Sequence, residues 1–288
     1  MEIKPEVSVV ILCKGRLDYL RETLPYTLNQ EGLLYSVTVV DYGCPDNTFE
    51  ELMDLGYPNL QLIKVLGDTQ FVNRSHGRNI GAMNTTGKFI MFQDAEITAP
   101  TFFLCWLKRQ MEKEPYDLAR ATQPCPHKQG TFMVTRRAFE VVRGFDEQFE
   151  GWGSEEDDLF ERVEKLYRLD NGLTSDDFRY TFRFDPSFLT HLDHSNGSRT
   201  VFDKETDKWK SQAKNMKRKK ARRATGEFRA NLDESGVPYE YGSAEIERLC
   251  PTEASGLKRY DMAPTTWEWV ASRGDAVIDA FNEIRGNF

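Results

Sequence analysis

The run Val7-Ser8-Val9-Val10-Ile11-Leu12-Cys13 most constrains how this chain can fold. A β-branched apolar run of this kind marks a strand buried on both faces, so it needs structure packed above and below it. The following sequence supplies that cover by alternation. Residues 17–30 read as a helix with Leu17, Leu20, Leu24 and Leu28 along one side. Val37-Thr38-Val39-Val40-Asp41 is a second buried strand, followed by a Gly- and Pro-containing loop over 42–47 and a short helix over 48–55. A third strand is expected over 60–65, a helix over 73–84, a fourth strand over 88–94 and a helix over 101–112 behind Pro100. Alternation of this type implies an α/β fold built on an open, mostly parallel sheet flanked by helices. Ligands of such sheets sit outside the carboxyl ends of the strands. Asp41 and Asp94 stand at two of those ends.

After Asp117 the alternation breaks. A strand is expected over 130–135, a short helix over 136–142, and a further strand within 182–192 leading to His191 and His194. Residues 201–223 read as a long, basic, weakly apolar helix, and from 225 onward the sequence is rich in Gly and charge with late aromatics at Trp267, Trp269 and Phe281. There is no internal repeat. The expected organisation is a main domain over 1–200, with halves at about 1–115 and 116–200, and a basic helical extension over 201–288.

The second organising stretch is Gly144-Phe145-Asp146-Glu147-Gln148-Phe149-Glu150-Gly151-Trp152-Gly153-Ser154-Glu155-Glu156-Asp157-Asp158. Leu159, Phe160, Val163, Leu166 and Tyr167 follow at helical spacing. Four consecutive carboxylates therefore fall at a helix N-terminus, where the dipole favours negative charge. Ser154 is expected as the N-cap, with Asp157 in the acidic half of a capping box. Capping uses one or two carboxylates rather than four. A tryptophan between two glycines suits a movable aromatic lid better than a core anchor.

Charge is unevenly distributed. The 288 residues carry a formal charge of -8, yet residues 204–223 hold ten Lys or Arg against Glu205 and Asp207, a local +8 that leaves -16 on the remainder. Such a helix either binds a polyanion or covers an acidic domain. No run approaches the roughly 18 to 20 apolar residues of a membrane span. The start Met-Glu-Ile-Lys-Pro-Glu leads straight to a strand, and the five cysteines (Cys13, Cys44, Cys105, Cys125, Cys250) are scattered, with no CxxC pair. These features predict no secretory signal, no disulfide framework, no zinc site and a cytoplasmic setting. Three Asn-x-Ser/Thr triplets, at Asn73, Asn84 and Asn196, are then chance matches.

Asp94-Ala95-Glu96 places two carboxylates two residues apart past a strand end, with a helix start after them. Hard oxygen ligands of this kind suit Mg²⁺ or Mn²⁺. His194, in Thr190-His191-Leu192-Asp193-His194-Ser195, is a candidate nitrogen ligand for the same ion. Arg74 and Arg78 lie one helical turn apart, able to pair with a diphosphate or flank a base. Gly77 and Gly81 weaken that helix unless a ligand or a strand packs closely on them.

These motifs together resemble the GT-A fold glycosyltransferases. Asp41-Tyr42-Gly43-Cys44-Pro45-Asp46 looks like the second-strand motif of the family-2 enzymes, and Arg78-Asn79-Ile80-Gly81 with Asp94-Ala95-Glu96 is similar to their Arg-Asn-x-Gly helix and D-x-D strand end. Gly130-Thr131-Phe132 with Gly144-Phe145-Asp146-Glu147 resembles their acceptor-side segment. Gly151-Trp152-Gly153-Ser154-Glu155-Glu156-Asp157-Asp158 is similar to the W-G-G-E-D signature of β-1,4-galactosyltransferases and chondroitin-polymerase-type enzymes, and Gly67-Asp68-Thr69, Asn73-Arg74 and His194-Ser195 also fit the galactosyltransferase pattern. The resemblance covers residues 7 to about 200. It implies a nucleotide-sugar donor, a UDP-sugar first of all, with Asp41 near the base and Arg16, Arg74, Arg78 and Asp94 on the donor side. Asp94, Glu96 and His194 would hold Mn²⁺ or Mg²⁺. Trp152, Gly153 and Asp158 would meet the acceptor. Among Glu155, Glu156 and Asp157, the register puts the catalytic base on Glu156, with Asp157 as its rival. Three departures stand out: Glu96 for the last Asp of D-x-D, Glu156 for the Asp of W-G-G-E-D, and Ser154 for its second Gly.

The expected activity is metal-dependent, inverting transfer of a sugar from a nucleotide-sugar to an acceptor hydroxyl, the acceptor being a glycan, a nucleic acid, another polyanion or a small molecule. Two rivals stand beside it. A nucleotidyltransferase on a similar sheet would want a Gly-rich first loop with a basic residue, which Lys14-Gly15-Arg16 only faintly provides. A nucleic-acid-binding protein would rest on the basic helix.

Overall fold

The computed structural model of the protein describes residues 4–67, 69, 72–114, 116–125, 127–149, 151–171, 181–192, 208–233, 235–250 and 275–285. Strand β1 (Val7–Cys13) lies between β2 (Tyr35–Asp41) and β4 (Phe89–Asp94), parallel to both, and β3 (Leu60–Val65) extends the parallel set beyond β2. The sheet continues past β4 through antiparallel β7 (Phe132–Thr135), β6 (Leu118–Ala121) and β8 (Thr181–Phe184). At the other edge β10 (Ile246–Leu249) runs antiparallel to β3, completing the order β10-β3-β2-β1-β4-β7-β6-β8. A two-stranded ribbon of β5 (Ile97–Thr98) and β9 (Thr190–His191) stands apart.

Burial on both faces of β1 follows from its sequence. Val7, Val9 and Ile11 point into one apolar layer with Leu20 and Leu24 of α1 (Leu17–Leu28) and Leu104 and Leu107 of α4 (Phe103–Lys113). Val10 points into the opposite layer with Ile80 of α3 (Arg74–Met83), Ala138 of α5 (Arg136–Val141) and Leu159 and Val163 of α6 (Glu155–Asp170). Each fully buried aliphatic side chain of this kind contributes about 1.5–3 kcal/mol relative to exposure. The glycines of α3 are explained by strands rather than by a ligand. A Cβ on Gly77 would stand 2.5 Å from Leu12 Cδ1, and one on Gly81 would stand 2.4 Å from Val10 Cγ1, so the helix lies directly on β1 and β2.

The short helix expected over 48–55 is α2 (Thr48–Leu52) with a 3₁₀ turn at Met53–Leu55. The single late strand expected within 182–192 is instead two, β8 and β9, separated by a 3₁₀ turn at Pro186–Phe188. Strands β5, β6 and β10 have no counterpart in the sequence reading. The described part of the basic helix, α7, spans Lys208–Thr225. A last helix, α8 (Asp275–Arg285), buries Val277, Phe281 and Ile284 against the α1–α4 layer, with Phe102 and Phe281 rings 5.5 Å apart.

Candidate active site

Strand order 3-2-1-4 places a topological switch between β1 and β4, where an open α/β sheet parts its loops and leaves a crevice. Asp94 is the last residue of β4 at that crevice. Its Oδ1 accepts a hydrogen bond from Arg78 Nη2 at 2.9 Å, and its carboxylate lies against Gly130, where a Cβ would fall 2.1 Å from Oδ2. A side chain at position 130 would push that carboxylate from its place.

Arg78 is the hub. Its guanidinium is only 6% exposed, sits 5.3 Å from the Phe145 ring centre, and donates from Nη1 to Glu156 Oε1 at 2.7 Å. Glu155 Oε1 is 3.9 Å from the same nitrogen. One arginine from α3 thus joins the end of β4 to the start of α6, residues far apart in sequence. The expectation for Arg78 was a donor-side contact, with a diphosphate or a base. In this structure its two terminal nitrogens are both engaged by carboxylates. Arg74, one turn earlier, is half-buried and donates from Nη1 to Gly151 O at 3.4 Å; its charge also acts on Asp94, Glu155 and Glu156.

The three acids around Arg78 are electrically distinct. Burial, with Arg78 opposing it and the Glu96 and Glu156 charges adding to it, raises the Asp94 carboxyl to about 6. Burial and the neighbouring Glu156 charge raise Glu155 to about 7. Glu155 Oε2 is buried and has no hydrogen-bond partner among the described residues. For Glu156 burial also acts upward, but Arg78 outweighs it and holds the carboxyl below its ordinary value. Asp157 is exposed.

Other expected site residues are placed elsewhere. Asp158 is buried and bound by Arg162 Nε at 2.8 Å and by Arg222 Nη1 at 2.8 and 2.7 Å on its two oxygens. Expected as an acceptor contact, it stands in an internal ion cluster beneath α7, because its turn of α6 faces the basic helix. Ser154 stands at the N-cap position but in the left-handed region (φ 74°) with no side-chain cap, so the capping box is also corrected. Asp41 is buried and accepts from Cys44 N at 2.7 Å and Phe49 N at 2.9 Å, which spends both oxygens on its own loop. Arg16 precedes α1 at the end of β1, its guanidinium 5.9 Å from the Tyr19 ring. Trp152 is half-buried and Gly153 buried, both against α7. The expected ligand His194 lies outside the described residues. The histidines that do come together are His127 and His191, rings 5.0 Å apart, with His191 on β9 beside β5 just after Glu96. Among the described residues no group of three or more His, Cys, Asp or Glu is assembled for a metal.

Sequence reading missed the amides that hold the loops. Asn79 donates to Phe145 O and Glu147 Oε1 at 2.9 Å each and accepts from Phe145 N at 2.9 Å. Asn231 donates to Arg143 O and Phe145 O and accepts from Glu147 N. Asn79 belonged to a recognised motif and was within reach of a sequence argument. Asn231 carried no signal.

Two comparisons bear on this geometry. The profile of the N-terminal domain of galactosyltransferase matches residues 127–181, the segment from the Asp94-facing loop through α6. A mannosyltransferase, PcManGT from Pyrobaculum calidifontis, solved with GDP-Man and Mn²⁺, superposes with a TM-score of 0.50 at 15% identity over 67% of this chain and 59% of that one. TarS from S. aureus (residues 1–349) aligns with a TM-score of 0.48 at 15% identity over 57% of this chain, and its UDP-GlcNAc complex with a TM-score of 0.42 at 13% identity over 62%. The chain spans 56% of that TarS structure. No curated protein sequence matches it. The fold shared with PcManGT is the GT-A arrangement, a mostly parallel sheet flanked by helices.

Proposed function

We propose that this protein is a metal-dependent, inverting glycosyltransferase that uses a nucleotide-sugar, a UDP-sugar first of all, and an acceptor hydroxyl. The observation that carries the reading is the Arg78 bridge, which gathers Asp94 of the D-x-E strand end and Glu156 of the acidic helix start into one crevice at the β1/β4 switch. The galactosyltransferase profile over 127–181 supports the same assignment.

The donor set fits a hard divalent cation. Asp94 and Glu96 offer carboxylate oxygens two residues apart, and the absence of a side chain at Gly130 leaves the Asp94 carboxylate its place. Mn²⁺ or Mg²⁺ held by Asp94 and Glu96 would offset the charge of a departing nucleoside diphosphate. The chain's own part is then positioning and proton transfer. Glu156, ionised beside Arg78, accepts the proton of the acceptor hydroxyl as that oxygen attacks the anomeric carbon from the side opposite the diphosphate. One displacement of this kind inverts the anomeric centre. Arg74, half-exposed beside the acids, is placed to meet the donor's phosphates. Trp152 supplies an apolar face toward sugar and acceptor.

A panel of nucleotide-sugars assayed for donor hydrolysis and transfer, with Mn²⁺ and with EDTA, tests the reading. Turnover of at least one donor that EDTA abolishes is expected, and equal turnover with EDTA would remove the metal from it. A second observation bears on the acceptor. Lys210, Lys214, Lys217 and Lys220 are all exposed on α7, while Arg218 and Arg222 turn inward. This outward row favours an anionic acceptor over a neutral one. No helix among the described residues is long and apolar enough to cross a membrane.

A further inference from the structure

The chain enters α6 through an awkward turn. Gly151, Gly153 and Ser154 all have positive φ, at 68°, 100° and 74°. Serine pays a backbone cost in that region, and Ser154 makes no capping bond that would offset it. Arg74 reaches Gly151 O from α3, and the partners of the next two residues lie on α7. Ser211 Oγ accepts from Trp152 N at 3.2 Å and donates to Trp152 O at 3.1 Å. Asn215 Nδ2 donates to Gly153 O at 2.9 Å, and Asn215 is 1% exposed. Between them, Gln212 comes so close that a Cβ on Gly153 would stand 3.1 Å from its Cγ.

Ser211, Asn215, Arg218 and Arg222 are spaced by four, three and four residues, which lines them along one stripe of the helix. The first two hold the turn and the last two grip Asp146 and Asp158. The helix is thus seated by its ion pairs and reads the backbone of the turn with neutral polar groups. Glu155 and Glu156 follow Gly153 by two and three residues. Their carboxylates reach Arg78 only if that turn keeps its shape.

We propose that Ser211 and Asn215 are positioning residues for the transfer reaction. They fix the 151–154 turn, and through it the direction in which Glu155 and Glu156 face Arg78 and Asp94. The basic helix is by this argument a part of the catalytic apparatus, and the tryptophan turn is a clasped element rather than a loose lid. The inference rests on the glycosyltransferase reading.

Two variants remove the contacts with little change of volume. Ser211→Ala loses the hydroxyl, and Asn215→Asp replaces the donating amide by an acceptor facing Gly153 O. Ser211→Thr keeps a hydroxyl and serves as the rescue. Three quantities are measured on each: amide hydrogen exchange over 152–157, kcat and KM for donor and acceptor, and calorimetric affinity for UDP with Mn²⁺. Small misplacement of a reacting group costs up to about 100-fold in rate, so we expect kcat to fall about tenfold or more in Ser211→Ala and Asn215→Asp, with faster exchange over 152–157. UDP affinity should stay within about twofold, because the metal carboxylates come from the end of β4 and the turn after it. Ser211→Thr should retain most of kcat and the slow exchange. Should Asn215→Asp fail to fold, the Ser211 pair decides the matter. Unchanged exchange, or faster exchange with unchanged kcat, overturns the inference while leaving wild-type turnover intact. Absence of wild-type turnover with any nucleotide-sugar overturns the glycosyltransferase reading and this inference with it.

Discussion

The molecule contains two buried arginine–carboxylate clusters that meet at the start of α6 and are built on opposite charge balances. At the crevice, Arg78 alone is fully enclosed among Asp94, Glu155 and Glu156, so acids outnumber the buried cation. Under α7, Arg162, Arg218 and Arg222 surround Asp146 and Asp158, so cations outnumber acids. Removing a partner from a buried ion pair strands a charge. The second cluster seals α7 to the body and leaves no negative charge for a ligand. The first holds negative charge in surplus, with one orphaned oxygen on Glu155, at the end of a parallel strand. Surplus of one sign in a cleft marks a place where a ligand of the other sign completes the structure.

The sharpest way to break this comparison is at Asp94. If the surplus serves a cation, Asp94→Ala abolishes Mn²⁺-dependent binding of UDP in calorimetry, and wild-type affinity in the variant would refute the assignment. Next comes the base. Glu156→Gln should lower kcat by about 10² to 10⁴ with donor affinity nearly unchanged, and Asp157→Asn should cost far less, since Asp157 is exposed and outside the Arg78 cluster. The reverse order of severity would shift the register by one residue.

The sealed cluster makes its prediction on stability. Arg222→Met removes the contacts that this side chain makes with both Asp146 and Asp158 and should destabilise the fold by about 3 to 5 kcal/mol, the cost of breaking a buried pair, read as a lower denaturant midpoint. A loss under about 1 kcal/mol would show that α7 is not seated by these pairs. Smaller still is the effect at Glu155. Its carboxyl is raised by burial, so the folded state holds its proton more tightly than the unfolded chain does. That group therefore costs no stability below about pH 4.5, and costs progressively more as pH rises toward about 7. Glu155→Gln should accordingly raise the melting temperature at pH 8 and change it little near pH 4. The smallest effect belongs to the outward lysines. Lys217→Glu with Lys220→Glu should weaken binding to an anionic glycan at low salt and reduce its salt dependence, and an unaltered salt slope would leave α7 with its inward role alone.

Much of the donor half was legible because local signals and tertiary placement coincide there. The β1 run announced a doubly covered strand, and β1 and β3 fall where hydrophobic pattern put them. Gly77 and Gly81 announced close packing, though pattern alone left open whether a strand or a ligand supplied it. The short antiparallel strands β5, β6 and β10 were not legible, since two to four residues are too few to show a period. The acidic stretch was legible as a helix start but not as a set of separate roles. Helical geometry turns successive residues about 100° apart, and the sequence does not say which direction is the crevice.

Sequence by itself determined the α/β class, the strand ends that carry Asp41 and Asp94, and the presence of an acidic helix start and a basic helix, because hydrophobic period and charge runs are local properties of the chain. Only the tertiary structure brought Arg78 between Asp94 and Glu156, set Asp158 beneath α7 while Glu156 faces Arg78, and laid Ser211 and Asn215 on the tryptophan turn. Those assignments depend on groups up to 78 positions apart meeting within hydrogen-bond reach, and the energy of such a contact is set by burial and by neighbouring charge, neither of which exists until the chain has folded.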